Sequence, residues 1–165
     1  MKTFIAKDSR KSIMQLRQFT LLALVFFGAI SAANAAELTL TVSDIRQAKG
    51  NLYIRVYAAD SDWLSQKPDG PLATEVIDLA TLKLNEKGAG EITRRFQLPE
   101  GTYAATAIHD RNKNGKLDTD WRGVPEEPSG TSGSGKKTMG PPEFETSKFE
   151  LGNENVAKVI RLREY

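Results

Sequence analysis

Residues 38–58 read LTLTVSDIRQAKGNLYIRVYA, and apolar and polar side chains alternate in both halves of this stretch. The apolar positions are Leu38, Leu40, Val42, Leu52, Ile54 and Val56. A break at Lys49-Gly50-Asn51 separates the two halves. An alternation with a period of two residues is typical of strands that bury one face. The stretch therefore predicts two half-buried β-strands separated by a turn.

The same alternation recurs further along the chain. A run from Thr102 to Ile108 reads as a strand, and apolar positions continue at Ile92, Phe96, Leu98, Phe149, Leu151, Val156, Ile160 and Leu162. The turn residues Pro99-Glu100-Gly101 predict that the strands on either side of them form a hairpin. Arg94 falls on the apolar face of its strand, which indicates an edge strand or a bulge. Lys158 interrupts the last strand in the same way.

Strands recur at short spacing, and no long helical period separates them. The chain is therefore predicted to be all-β: a small antiparallel β-sandwich of about seven strands over residues 36–165, with one long loop at 119–144. Residues 61–67 could form a short helix capped by Ser61 or Asp62. Residues 74–84 could supply one or two strands or a short helical turn. The long loop is either a mobile surface segment or a binding element.

Residues 1–35 are organised as a secretory signal peptide. Positive charges precede an apolar run of about 12 residues from Phe19 to Ile30, and small residues surround Ala33-Asn34-Ala35. A membrane-spanning helix needs about 20 apolar residues, so a retained anchor is less favoured. The leader has no adjacent Arg pair, which argues against twin-arginine export. We expect a Sec-type signal, cleavage after Ala35, and a periplasmic or secreted protein translated from Met1 or Met14.

The charge balance and the composition exclude several classes of function. The chain has 23 Lys and Arg against 21 Asp and Glu, but the leader holds five of the basic residues and one of the acidic ones. The processed chain would hold 18 basic and 20 acidic residues, a net charge of −2. We therefore expect no nucleic-acid partner, and no membrane contact after signal cleavage. The absence of Cys excludes disulfides and thiol catalysis, and the single His excludes zinc sites built on several imidazoles.

One segment has the chemistry of a cation site. Residues 109–120 read HDRNKNGKLDTD, and counting from Asp110 places side-chain oxygens at positions 1, 3, 5 and 9 and a glycine at position 6. A calcium loop requires its sharp turn at that glycine and uses the backbone carbonyl at position 7. The predicted ligands are Asp110, Asn112, Asn114, Asp118 and the carbonyl of Lys116. Ca²⁺ suits this flexible oxygen set better than Mg²⁺.

The pattern departs from an EF-hand at position 12, where Trp121 replaces the bidentate glutamate. Asp120, Glu126 or Glu127 could supply the missing carboxylate if the chain folds back. Without such a ligand we expect binding in the millimolar range. The alternative is a long turn without an ion, since Asn-Gly and Asp are also the residues that turns require.

The run LPEGTYAATAIHDRNKNGKLDTDWRGVPEEPSGTS at 98–132, followed by GPPEFETSKFEL at 140–151, resembles the bacterial exported family known as domain of unknown function 2141. Four family segments lie at Leu98–Tyr103, His109–Asp118, Gly123–Ser132 and Pro142–Phe144. The resemblance covers the chain from about Leu38 to Leu162. It implies a small β-sandwich of transthyretin-like or immunoglobulin-like character, exported by Gram-negative bacteria, and it implies no particular activity.

These features favour a soluble periplasmic binding or accessory module, with Ca²⁺ as the expected cofactor of the loop. Trp121, Pro125 and Glu127 are predicted to face the partner, an unidentified envelope protein or a polysaccharide. The alternative is a carbohydrate-binding protein that uses Trp63, Trp121 and the outward-facing tyrosines Tyr53 and Tyr57. Outward tyrosines are also ordinary cross-strand partners in a sheet.

A hydrolase is the third interpretation. The chain groups a potential base, acids and nucleophiles at His109, Asp110, Glu126, Glu127, Ser129 and Ser132. No G-x-S-x-G elbow occurs in the sequence. Adjacent residues of a strand point to opposite faces, so His109 and Asp110 should not act together. We therefore predict no catalytic residues, and we expect His109 to be a hydrogen-bonded structural imidazole.

Overall fold

A computed structural model describes residues 35–133 and 140–165 of the chain. These residues form eight strands, one 3-10 turn (Leu79–Thr81) and one short helix, α1 (Phe144–Ser147). The strands are β1 (Ala36–Ile45), β2 (Asn51–Ala58), β3 (Ala73–Asp78), β4 (Gly90–Leu98), β5 (Gly101–Asp110), β6 (Ser129–Thr131), β7 (Phe149–Leu151) and β8 (Val156–Arg161). The predicted all-β class is confirmed. The predicted signal peptide lies outside the described residues.

The strands form two sheets that pack as a small sandwich. One sheet has the order β4-β1-β8, and the other has the order β3-β2-β5-β6, with β7 also paired to β5. All pairs are antiparallel except β1 and β8, which run parallel with Leu38 opposite Val156. The antiparallel sandwich predicted from the sequence is therefore correct apart from this one pair.

The core lies between the two sheets and follows the predicted alternation. Leu38, Leu40 and Val42 of β1 face Leu52, Ile54 and Val56 of β2 across the interior, and these six side chains are fully enclosed. Ala105 and Ala107 continue the enclosed face on β5. Because the core depends on this period-two pattern, the sequence was sufficient to identify it.

The predicted hairpin at Pro99-Glu100-Gly101 is wrong. β4 pairs with β1 in one sheet, whereas β5 pairs with β2, β6 and β7 in the other, so the turn carries the chain across the sandwich. The buried Tyr103 donates its hydroxyl to the carbonyl oxygen of Pro99 at 2.9 Å and closes this corner. Turn residues end a strand, but they do not determine whether the next strand pairs with it.

Arg94 and Lys158, the charged residues that interrupt the apolar faces of their strands, both lie on edge strands. This position was one of the two predicted for Arg94. β4 and β8 are the two edges of the three-stranded sheet. Arg94 pairs with Glu75 of β3 at 2.9 Å, which links edges of the two sheets. The ammonium of Lys158 lies 5.5 Å from the centroid of the Phe149 ring. Each charge thus has a partner near the sheet margin and avoids the core.

The remaining segments cover the outer face of the five-stranded sheet. Residues 61–67 form turns instead of the predicted short helix, and 74–84 supply β3 and the 3-10 turn. Trp63 packs edge-on against Tyr57 at 5.1 Å and against Phe144 at 5.5 Å, and its indole N–H donates to the carbonyl of Pro142. The long loop contributes β6, and residues 134–139 lie outside the described part.

No helix among the described residues is long and apolar enough to cross a membrane.

Leu40→Ala is expected to lower the free energy of unfolding by about 2–5 kcal/mol, because it leaves a cavity in the enclosed core. Leu72, which is 51% exposed, is the matched control. Its replacement by Ala should change the free energy of unfolding by less than about 0.5 kcal/mol. Urea denaturation of both variants measures the difference, and equal losses would contradict this assignment of the core.

Candidate cation-binding loop

The loop of residues 110–118, called here the oxygen-rich loop, begins where β5 ends. Asp110 is the last residue of β5, and its side chain is fully enclosed. Its Oδ1 accepts from the backbone N–H of Asn114 at 3.2 Å, and its Oδ2 accepts from that of Gly115 at 2.7 Å. Gly115 has a φ of 82°, a left-handed conformation that favours glycine. The sharp turn expected at position 6 is therefore present, and Asp110 closes it.

The structure brings the other predicted side-chain ligands together on Asp118. Asn112 donates its amide to Oδ2 of Asp118 at 2.7 Å, and Asn114 donates to Oδ1 and Oδ2 at 3.0 and 2.8 Å. The amide oxygens of the two asparagines accept the backbone N–H groups of Asn114 and Lys116. Each of these oxygens keeps a second lone pair, which leaves it able to bind a cation.

Glu127 is the carboxylate that folds back onto the loop. Its Oε1 accepts from the backbone N–H of Arg111 at 2.8 Å, and its Oε2 accepts from that of Asp118 at 3.3 Å. Asp120 instead accepts the N–H groups of Arg122 and Val124; the Val124 bond lowers the pKa of Asp120, with a further contribution from Arg122. Of the three candidates for the missing ligand, Glu127 is the one whose carboxylate bonds the loop backbone in the described residues. Only 5% of the Glu127 surface is exposed. Glu127 therefore bonds the loop instead of facing a partner, which was its predicted role.

The carboxylates of the loop lack a cationic partner. None of the ion pairs within residues 35–133 and 140–165 includes Asp110, Asp118 or Glu127. Two of the three cations in the loop pair elsewhere: Lys113 bonds Asp78 at 2.9 Å, and Arg111 bonds Glu164. Within the described residues, the enclosed carboxylates of Asp110 and Glu127 are thus compensated by backbone N–H groups and by no ion pair.

The donor set fits a hard divalent cation. Carboxylate and amide oxygens with one backbone carbonyl are the ligands that Ca²⁺ takes in proteins. As it stands, the described part of the chain holds no ready cluster of three His, Asp or Glu side chains placed for a metal. Binding would thus draw on the amides of Asn112 and Asn114 and on the carbonyl of Lys116, with Asp110, Asp118 and Glu127 supplying charge.

The groups of the hydrolase interpretation do not converge. His109 is fully enclosed; its Nε2 donates to the carbonyl oxygen of Lys49 at 2.8 Å, and its Nδ1 has no partner in the described structure. Burial lowers the pKa of His109, and the bond to Lys49 opposes this only in part. The hydroxyl of Ser132 accepts from the N–H of Ala105 and donates to the carbonyl of Ser147. Ala105 lies four residues before His109 on β5. His109 thus occupies the structural position that the sequence predicted for it.

Trp121 stands at the tip of a small hairpin that follows the loop. It is 91% exposed, and the guanidinium of Arg122 lies 5.7 Å from its ring centroid. A bridge between Thr119 and Pro125 and two backbone bonds across the turn hold the hairpin. The other predicted aromatic residues are less available: Tyr57 is enclosed, and Trp63 is packed against it. The aromatic platform expected for a carbohydrate-binding protein is therefore not assembled.

Two features near the loop were not predicted from the sequence. The first is a groove of roughly 540 Å³ between residues 65–67 and 114–117. The second is the burial of Arg55, which lies on the outer face of β2 and is 3% exposed. The only signal in the sequence was a charged residue between Tyr53 and Tyr57, which is ordinary for an outward face.

The fold and the loop define a small β-sandwich domain with an aspartate- and asparagine-containing loop at the end of its central strand. The chain belongs to DUF2141, a family described as an uncharacterized protein conserved in bacteria, whose model matches residues 40–158. The predicted family is confirmed. No curated protein and no solved structure matches the chain.

Asp110→Ala is expected to lower the free energy of unfolding by about 1–3 kcal/mol even in chelator, because it leaves the N–H of Gly115 without its acceptor and removes one of the two acceptors of the Asn114 N–H. Asp120→Ala is the control, since Asp120 also accepts two backbone N–H groups but lies in the more exposed hairpin. Urea denaturation in chelator compares them. A larger loss for Asp120→Ala would contradict the role given to Asp110.

Proposed function

We propose that this protein is an exported periplasmic binding or accessory domain whose oxygen-rich loop, together with Glu127, holds Ca²⁺. The observation that carries the proposal is the set of three loop carboxylates, two of them buried, without a cationic partner in the described structure. Buried charge is costly unless it is paired or coordinates a metal. A divalent cation would supply the missing positive charge.

The cation would also order the surface beyond the loop. The backbone N–H of Glu126 donates to the carbonyl of Asp118 at 2.9 Å, and Glu127 accepts from the N–H of Asp118. These bonds tie the base of the Trp121 hairpin to the loop. A cation held by Asp118 and Glu127 would thus stiffen the hairpin that presents Trp121 and Pro125 to a partner.

Export remains part of the proposal because the first strand of the domain begins after the expected cleavage site. β1 begins at Ala36, opposite Leu98 of β4. Cleavage after Ala35 would leave every residue of this strand in the processed protein. The sandwich described here is therefore compatible with removal of the first 35 residues.

Binding of a carbohydrate or an envelope polymer is the second candidate. The exposed ring of Trp121 beside Arg122 favours it, because an exposed aromatic face suits stacking against a sugar ring. The packing of Trp63 against Tyr57 weakens this second candidate, because these two rings are then less available to a sugar. Measuring the binding of this protein to a panel of polysaccharides separates carbohydrate binding from binding to a partner protein.

Calcium at ten times its dissociation constant is expected to stabilise the processed protein by about 1.4 kcal/mol, or roughly 5 °C in Tm for a domain of this size. Differential scanning calorimetry in calcium, in magnesium at equal ionic strength and in chelator measures the shift. Glu127→Gln should reduce the calcium shift, because it removes a charge from the ligand set. Asp120→Asn should retain the full shift.

Identical melting in calcium and in chelator would refute the metal site. A calcium shift that survives both Glu127→Gln and an Asp118→Asn substitution would place the ion elsewhere in the molecule. Equal stabilisation by magnesium would contradict the choice of calcium, since Mg²⁺ requires stricter octahedral geometry.

Expression of the full chain in a Gram-negative host is expected to yield a periplasmic protein that begins Ala36-Glu37-Leu38. N-terminal sequencing of the periplasmic fraction measures this. An Ala35→Lys variant serves as the control, because a large charged residue blocks the small-residue cleavage site. Periplasmic protein that retains Met1 or Met14 would contradict the prediction.

A further inference from the structure

Arg55 is a buried charge without a counter-ion. It lies in the middle of β2 and is 3% exposed. Its Nη1 is enclosed and has no hydrogen-bond partner in the described structure, and none of the ion pairs found there includes it. Its nearest favourable contact is with the ring of Tyr53, whose centroid lies 4.7 Å from the guanidinium carbon.

This arrangement is costly as it stands. Burial lowers the pKa of Arg55, and favourable electrostatic interactions with Tyr57, Tyr53 and Asp110 counter that shift only partly. An aromatic face stabilises a cation by about 0.5–2 kcal/mol, which is less than the cost of removing a charge from water. The site therefore has an unmet requirement for an anion.

Arg55 does not itself line the groove, but it lies on the face of β2 that contacts both of the groove's walls. Tyr53, Arg55 and Tyr57 share the outer face of β2 because alternate residues of a strand point the same way. The hydroxyl of Tyr53 lies next to Gly115, at 3.6 Å from the position that a β-carbon on this glycine would take. The hydroxyl of Tyr57 donates to the carbonyl of Ser65 at 2.8 Å. Gly115 and Ser65 belong to the two walls of the groove. The residue between the two tyrosines thus lies between the contacts to the two walls.

Two further features make the groove suited to an anion. Lys67 and Lys116 line its walls, and none of its lining residues is acidic. Thr106 stands directly opposite Arg55 in the β2–β5 register, and its enclosed hydroxyl has no hydrogen-bond partner of good geometry in the described residues. Arginine, lysine and hydroxyl groups are the donors that bind carboxylate and phosphate oxygens.

We propose that the groove between residues 65–67 and 114–117 binds the oxyanion group of a small molecule, with Arg55 as its buried counter-charge and Lys67 and Lys116 at its rim. The groove is largely open to solvent, so it suits one anionic group of a small molecule at the protein surface. The ligand class is thus a small carboxylate or phosphate compound. The inference rests on the proposal that the domain is a binding module, and it does not require the calcium site.

Glucuronate, inorganic phosphate and neutral glucose are the probes that test the proposal, using the processed protein and isothermal titration calorimetry. Glucuronate and glucose differ in the carboxylate, so binding of glucuronate without glucose isolates the anionic group. We expect one or both anions to bind, and Arg55→Met to weaken that binding at least tenfold. Arg55→Met should also raise the Tm of the ligand-free protein, because it removes an unpaired buried charge.

Lys67→Gln is the milder variant, and it keeps the experiment decisive if Arg55→Met does not fold. It should weaken anion binding several-fold, whereas Lys87→Gln, in an exposed turn away from the groove, should bind as the wild type does. Binding of glucuronate alone or of phosphate alone identifies the source of the oxyanion and supports the proposal. No binding of either anion, or binding that neither Arg55→Met nor Lys67→Gln weakens, overturns it.

The calcium shift in Tm, measured on the Arg55→Met variant, separates this proposal from the preceding one. A variant that keeps the calcium shift and loses anion binding supports both. A wild-type protein that binds the anion without any calcium shift refutes the metal site and leaves the groove supported.

Discussion

The enclosed carboxylate of Asp110 is the interaction on which the functional end of this molecule depends. It lies at the last position of β5 and holds the backbone of Asn114 and Gly115 through two hydrogen bonds. That turn brings Asn114 to Asp118, and Asp118 in turn meets Glu127. The loop, the base of the Trp121 hairpin and one wall of the groove therefore all depend on one side chain at a strand end.

Two opposite electrostatic situations lie close together on this sheet. Among the described residues, the carboxylates of Asp110, Asp118 and Glu127 form no ion pair, and neither does the guanidinium of Arg55. The negative charge of Asp110 nevertheless acts favourably on Arg55. A protein that evolved for stability alone would join these charges or replace them with apolar groups. Their separation is the strongest physical argument that ligands complete both sites.

The sequence predicted the features that depend on local patterns. Alternation identified β1 and β2 and the core they share. The spacing from Asp110 to Asp118 identified a loop in which the side chains of Asn112, Asn114 and Asp118 meet, while Asp110 bonds the loop backbone. The parallel pairing of β1 with β8 could not be inferred, because it joins the two ends of the domain. The false hairpin has a related cause: the chemistry of Pro99-Glu100-Gly101 describes a turn and carries no information about sheet membership.

Burial on the outer face was equally inaccessible to pattern analysis. Tyr57 and Arg55 occupy outward positions of β2, which normally meet water. Both are enclosed nevertheless. Trp63, from an irregular segment, packs edge-on against Tyr57 and in turn contacts Phe144 of α1, far away in sequence. Likewise, three carboxylates were candidates for the missing ligand, and only tertiary contacts selected Glu127.

The inward charges on both margins of the three-stranded sheet have a consequence for the behaviour of the protein at high concentration. An uncovered strand margin is a template on which another chain can add, and repeated addition leads to fibrils. Arg94 on β4 and Lys158 on β8 place an ammonium or guanidinium group where a docking strand would need apolar contact. Their presence disfavours the addition of a second copy of the domain at either margin.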